Sequence, residues 1–299
     1  MSLARVQLAR WSSRVFSAAA LRNIAAGKSD VSLTRALAEI STELAPEATS
    51  MQGVIDSLAA SLWADYRNEY LYKNAIANKI LVGRHSIAAA GFLVEFRIGA
   101  SVADCVLLNG TSTVYEIKTE LDSDSKLRKQ LADYRRVFPR AVVVTHHSLA
   151  SRYERALSST GVGLMMLTSR GRLSVIAGPE DRHTDLDSSV IMKSLRKAEY
   201  GRISEDLVGQ RIDLPNTLFF RECLSIASRT DPEVYAALAH RELKRRSVRE
   251  PRLLTSPALA SVRYLSIQVN PNREQALRLL EWLAKDPADV LPISSRQAV

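Results

Sequence analysis

Three short runs rich in β-branched and aromatic residues constrain this chain more than any other feature. They are Phe92 to Ile98, Val102 to Leu108 and Thr113 to Thr119. Each reads as a strand. Asn109-Gly110, between the last two, is a strong short-range hairpin signal. A helix is expected next over Lys126 to Phe138, closed by Pro139. Ala141 to Thr145 reads as a further strand, Leu149 to Ser158 as a helix, and Gly163 to Leu167 and Arg172 to Ala177 as two more strands. Strands interleaved with helices in this order predict an α/β sheet with helices packed on it.

The flanking regions read as helical. Residues 1–50 predict two helices ending near Pro46, and residues 51–82 one long helix with an apolar stripe of Val54, Leu58, Leu62, Tyr66, Tyr70 and Ile76, stopped at Gly83. The polar stretch 179–188 reads as a linker. Beyond it, helices are expected over Val190 to Tyr200, Thr217 to Ala227, Pro232 to Arg246 and Arg273 to Lys285, with a short strand near Tyr264 to Val269. The expected organisation is an N-terminal helical segment (1–50), a central α/β domain (51–178), the linker and a helical C-terminal domain (189–299). The first 28 residues carry five basic residues and no acid, which is also the composition of a mitochondrial presequence. Their helical apolar spacing continues to Leu44, which favours a helix belonging to the folded protein.

Composition narrows the function classes. The 299 residues are 46% hydrophobic and 24% charged, which excludes wholesale disorder. Two cysteines, Cys105 and Cys223, cannot build a disulfide framework or a four-cysteine zinc site, and both read as core residues. A reducing cytoplasm fits. No window is long and apolar enough to span a membrane. The net charge of +9 makes a polyanionic partner plausible. No P-loop, zinc finger or helix-turn-helix signature is present, so intrinsic ATPase activity and sequence-specific readout have no support.

The chemistry concentrates in the hairpin. Asp104 lies in VADCVLLNG, and Glu116 and Lys118 lie in TVYEIKTE. Alternation places Val114, Glu116 and Lys118 on one face of their strand, and puts Asp104 on a face with Val102 and Val106. Carboxylates flanked by apolar residues are expensive to bury without a partner. Two of them joined by a tight turn are natural ligands for a hard cation, with Lys118 one pleat away to orient a water or stabilise phosphate charge. An ion pair on an exposed sheet face is the plainer alternative. The register decides between them. Asp104 faces Glu116 only if Leu108 faces Ser112, with a three-residue loop of Asn109, Gly110 and Thr111. A two-residue Asn109-Gly110 loop would separate the carboxylates unless a bulge repaired the register.

Other candidates carry open alternatives. Glu69 could serve a metal or pair with Lys73 one turn on. Gln130 and Tyr134 share a helix face whatever their role. Arg97 and Ser101 precede Asp104 and could reach a phosphate, or Ser101 could stabilise the turn. The adjacent His146 and His147 would point to opposite faces of a strand and so cannot readily bind one ion. Basic residues crowd the helix after the Glu116 strand (Lys126, Arg128, Lys129, Arg135, Arg136, Arg140). A second cluster ends a C-terminal helix (Arg241, Lys244, Arg245, Arg246, Arg249, Arg252). Both clusters suit a phosphate backbone.

Glu69 on a helix, Asp104 on one strand, Glu116-x-Lys118 on the next and a following helix together resemble the PD-(D/E)XK nuclease superfamily over about residues 60–170. The stretches YRNEYLYKNAIANKILVGRHS, VADCVLLNG and YEIKTELDS look close to an uncharacterised bacterial family within it. The resemblance implies a restriction-endonuclease-like core, a mixed central sheet flanked by helices. It implies that Asp104, Glu116 and the Ile117 carbonyl bind Mg²⁺ or Mn²⁺, that Lys118 positions or activates the attacking water, and that Glu69 adds a helix-borne acid. Gln130 and Tyr134 resemble the Gln-x-x-x-Tyr motif of the RecB-like branch, which supports the active site and contacts nucleic acid. Ala103 stands where the superfamily's name has Pro.

The expected function is metal-dependent hydrolysis of nucleic acid, DNA first, in bacterial repair, restriction or defence against mobile elements. Catalysis would rest on Glu69, Asp104, Glu116, Lys118 and Gln130. Nucleic acid would meet Arg97, Tyr134, Lys126, Arg128, Lys129 and Arg135. A protein partner or a homodimer fits the same reading. The alternatives are an RNA nuclease and a non-enzymatic scaffold binding nucleic acid or protein.

Overall fold

The computed structural model describes residues 3–83, 90–168, 171–246 and 248–292. In chain order the elements begin with helices α1 (Leu3–Val15), α2 (Ala18–Ala25), α3 (Val31–Leu44), α4 (Met51–Asp65) and α5 (Glu69–Ile76), the last running into a π-helical turn, Ala77–Val82. Then come β1 (Gly91–Ile98), β2 (Ser101–Leu108), β3 (Thr113–Lys118), α6 (Leu127–Arg135), β4 (Arg140–His146), α7 (Ala150–Leu157), β5 (Gly163–Leu167) and β6 (Leu173–Ala177). Helices α8 (Ser188–Ser194), α9 (Lys197–Val208), α10 (Asn216–Arg229), α11 (Pro232–Lys244), α12 (Pro251–Leu254), α13 (Arg263–Val269), α14 (Arg273–Ala284) and α15 (Pro287–Val290) complete the chain.

The chain divides into two compact units. One holds residues 1–87, 169–172 and 248–299, and the other residues 88–168 and 173–247. This division cuts across the expected boundaries at 50, 178 and 188. Residues 51–87 belong with the N-terminal helices and the last fifty residues. Helices α8 to α11 belong with the sheet, because α8 and α11 pack on β1 and α9 and α10 pack on them.

Among its described residues the first unit has only helices as regular elements. Ser17 and Asp30 cap α2 and α3, each accepting from a backbone N–H three residues on, so three helices form where two were expected. The long helix expected over 51–82 breaks at Tyr66 to Asn68. Asn68 caps α5 through the Leu71 N–H, and its amide also reaches Ser12 Oγ at 2.7 Å. A short polar side chain that bonds local backbone competes with helix continuation, which a count of apolar positions does not register. The strand expected near Tyr264 is α13, whose Tyr264, Leu265 and Ile267 are buried. A short apolar run has no period of its own to separate the two outcomes. Helices α1 and α2 pack against α3, α4, α13 and α14, so the basic N-terminal segment is part of this unit's core.

The second unit is built on a six-stranded open sheet in the order β1-β2-β3-β4-β5-β6. β1, β2 and β3 form an antiparallel meander, β3, β4 and β5 are parallel, and β6 returns antiparallel. α6 makes the crossover from β3 to β4 and α7 that from β4 to β5, as parallel neighbours require. All six residues of β3 are buried, as in a central strand covered on both faces. The stretch 179–188 is tied to this unit rather than loose. Backbone N–H groups of Glu180, Arg182 and Asp187 donate to Gly161, Pro139 and Arg136, and the Arg140 guanidinium pairs with Asp181.

Candidate active site

The β2–β3 hairpin pairs Cys105 with Tyr115, Val106 with Val114 and Leu107 with Thr113. The same register carried outward sets Leu108 opposite Ser112, leaving a three-residue loop of Asn109, Gly110 and Thr111. Gly110 in that loop has φ +61, a conformation glycine adopts without the Cβ penalty. Carried the other way, the register sets Asp104 opposite Glu116. The ladder stops at Cys105–Tyr115, and beyond it the Ile117 N–H donates to Asp104 Oδ2 at 2.7 Å. Asp104 therefore lies along the gap between two diverging strands. Its expected sharing of a face with both Val102 and Val106 does not hold. Val106 is in the core and Val102 is exposed, because the inward alternation of β2 changes phase between them.

Glu116 and Lys118 point together toward α6, as alternation requires. Glu116 is 3% exposed and Lys118 7%. Lys118 Nζ lies 2.9 Å from Glu116 Oε1 and donates to Gln130 Oε1 at 3.0 Å. The Tyr134 hydroxyl is 2.7 Å from Glu116 Oε2 and 2.8 Å from the Val102 carbonyl. Burial first, then the neighbouring Glu116 charge, pushes the Tyr134 phenol far above its usual range, so it stays a neutral donor. Gln130 and Tyr134 thus hold the Lys118–Glu116 pair from one helix. Tyr134 is fully buried, so its hydroxyl belongs to the interior of the site and not to a surface meeting nucleic acid. Thr145, at the adjacent position of β4, donates to the Lys118 carbonyl at 2.8 Å. Asp122 accepts from the Thr119 N–H and hydroxyl, both at 2.8 Å, and folds back the turn after β3.

Several candidates lie elsewhere. Glu69 opens α5 in the helical unit and pairs with Lys73 at 2.5 Å, the i,i+4 alternative. Ser101 donates to Asp133 at 2.5 Å, fastening β2 to α6. Burial alone would raise the Asp133 carboxyl, but its bonds from Lys129 and Ser101 hold it below the usual range. Arg97 is exposed on β1. His146 is buried at the end of β4, with Nδ1 2.8 Å from Ser148 Oγ and 3.1 Å from Glu120 Oε1, while His147 is exposed. His85, near the Gly83 helix stop, reads from the sequence as a cap or a solvated residue and lies outside the described residues.

The basic clusters are partly spent inside the unit. Lys129 pairs with Asp133, Arg136 with Asp187 and Arg140 with Asp181, and Arg135 donates to the Thr160 carbonyl. Lys126 and Arg128 are exposed and make no ion pair among the described residues. In the second cluster, Arg245 pairs with Glu242 and Arg246 with Glu199.

Sequence reasoning missed Glu95. It has φ +50, one of three non-glycine residues with positive φ among those described, and by the β1–β2 register it stands opposite Asp104. A left-handed non-glycine residue costs ~1–2 kcal/mol, and such positions cluster at functional sites. Nothing in the local sequence announces it, since Glu has no preference for that region.

Glu116 and Lys118 therefore meet beside Gln130 and Tyr134, and Asp104 lies along the strand gap on the Ile117 N–H. Among the described residues no group of three or more His, Cys, Asp or Glu is placed to hold a metal ion. A cation here would rest on Asp104, Glu116 and main-chain or water oxygens. That is within the one or two carboxylates Mg²⁺ asks of a protein. No helix among the described residues is long and apolar enough to cross a membrane. No curated protein and no solved structure was found to match the chain. The family model of bacteriophage P4 protein cII matches residues 63–254, which take in the whole sheet, the hairpin site and α6 to α11, and on that match the chain belongs to the bacteriophage P4 protein cII family.

Proposed function

We propose that this protein is a divalent-metal-dependent nuclease acting on DNA, with a restriction-endonuclease-like core formed by the β1–β5 sheet and α6. The observation that carries this reading is buried Glu116 with Lys118 Nζ on it and held by Gln130, and Asp104 bonded to the neighbouring Ile117 N–H. The mixed sheet flanked by helices agrees with the fold the resemblance implies. Asp104, Glu116 and the Ile117 carbonyl would hold Mg²⁺ or Mn²⁺. The ion would stabilise charge on the attacking and leaving oxygens of an in-line displacement. Lys118 is placed to orient the attacking water or to neutralise phosphate charge. Gln130 keeps the ammonium from collapsing wholly onto Glu116, and Tyr134 holds the second oxygen of that carboxylate. Lys126 and Arg128, exposed at the start of α6, would carry the phosphate backbone.

One observation favours a second reading, a non-enzymatic scaffold. Both Glu116 oxygens already have protein partners, so its burial is satisfied without an ion. The two readings separate on cleavage of plasmid and single-stranded DNA with Mg²⁺, Mn²⁺ or EDTA, beside Lys118→Ala taken through the same purification. The nuclease reading expects cleavage that needs metal and falls at least ~100-fold in the variant, the order of loss when a positioned proton-transfer group is removed. Equal cleavage by both preparations sinks it. If neither cuts, Mn²⁺ titration with Asp104→Ala as reference decides: no binding favours the scaffold. Matched single and double strands of RNA separate the RNA-nuclease alternative.

A further inference from the structure

In β1 the residues facing the core are Leu93, then Phe96 and Ile98. In β2 they are Leu108 and Val106, then Ala103. Each strand takes a step of three where alternation demands two. Both slips fall at the same rung, because Val94 pairs with Cys105 and Phe96 with Ala103, which sets Glu95 opposite Asp104. The pairing count is unchanged across the slip, so no residue is inserted. The phase changes through backbone conformation, and the residue that departs from strand geometry is Glu95, at φ +50. On β2 the slip is where Asp104 leaves the alternating faces and takes the Ile117 N–H of β3 at 2.7 Å.

We infer that Glu95 is a positioning residue whose left-handed backbone, rather than its carboxylate, turns Asp104 into the gap between β2 and β3. Without the turn, Asp104 would stay in phase with Val106 and point into the apolar layer that holds Leu93, Val114 and Leu131. That is a costly place for a charge. With it, Asp104 takes the Ile117 N–H as a main-chain donor in the gap beside β3. The inference concerns how the site is built, and its link to catalysis rests on the reading of Asp104 as a metal ligand.

The test compares Glu95→Gly, Glu95→Gln and Glu95→Val. Glycine accepts the left-handed region freely, glutamine keeps the backbone demand without the charge, and a β-branched residue resists it. Hydrogen exchange at the Ile117 amide reports the bond directly, with no need for activity. Gly and Gln are expected to keep Ile117 protection within twofold of the parent, and Val to lower it at least tenfold. DNA cleavage, if present, should rank in that order too. Loss of protection in both Gly and Gln would overturn the inference, because the carboxylate would then be the working part. Unchanged protection in a folded Val variant would overturn it as well. Should Val fail to fold, Gly and Gln alone still decide. A parent protein that cleaves nothing while its amide follows the expected order would sink the nuclease reading and leave this inference standing.

Discussion

Two places in the sheet-bearing unit bury glutamates beside cations, and they are built differently. At the helical layer, Glu199 accepts Arg246 Nε and Nη2 at 2.6 and 2.5 Å and the Arg196 N–H at 2.7 Å. Glu242 accepts Arg202 Nε and Nη2 at 2.9 and 2.6 Å and pairs with Arg245 at 2.6 Å. Guanidinium forks saturate both carboxylates and cannot lose their protons, so these pairs lock α9 to α11. At the hairpin, Glu116 meets a lysine, a compact charge on a flexible stem, and a second carboxylate, Asp104, is bonded to the next residue's N–H. Burial of an acid is common to both. What separates a lock from a candidate site is a lysine in place of the guanidinium forks and a second acid on the neighbouring strand.

The comparison breaks most sharply at Arg246. Its removal strands Glu199, 5% exposed, and should cost ~3–5 kcal/mol in chemical denaturation while leaving activity per folded molecule unchanged. A large fall in activity without a fall in stability would erase the distinction. The acid limb sharpens the same point. Burial alone would raise the Glu199 carboxyl, but Arg246 and the Arg196 N–H hold it below the usual range. A depressed folded-state value means stability that is present above the ordinary glutamate range and lost as pH falls through the depressed value. In Arg246→Ala the loss should begin at higher pH, read as a shift in the denaturation midpoint against pH.

Tyr134→Phe removes one donor from buried Glu116 and should cost ~1–3 kcal/mol. Unlike the Arg246 variant, it should also lower metal-dependent cleavage, so the ratio of activity to folded fraction tells the two apart. The smallest effect is expected at Glu69. Its pair with Lys73 is half exposed, so Glu69→Gln should cost only ~0.5 kcal/mol. Abolished cleavage with that small a cost would return Glu69 to the metal site.

Much of this was legible in the chain. Alternation in TVYEIKTE puts Glu116 and Lys118 on one face, and the odd loop needed to bring Asp104 opposite Glu116 is the loop observed. Helical spacing in KQLADYRRVF puts Gln130 and Tyr134 on one side of α6. The break at Asn68 was not legible, because a capping residue inside an apolar stripe looks like an ordinary polar position. Nor was the fate of the basic clusters, whose counter-charges Asp181, Asp187 and Glu199 lie far along the chain from Arg140, Arg136 and Arg246.

The residues alone specified the six strands of the sheet and set Glu116 and Lys118 on one face, since these follow from period, while the hairpin register stayed open between two loop lengths. Folding settled which helices join the sheet, that Tyr134 faces inward, that Arg136, Arg140, Arg245 and Arg246 are tied up in pairs, and that Glu95 bends the rung beside Asp104. Those outcomes depend on contacts between residues distant in sequence and on backbone strain that the surrounding packing sustains, and no local pattern encodes either.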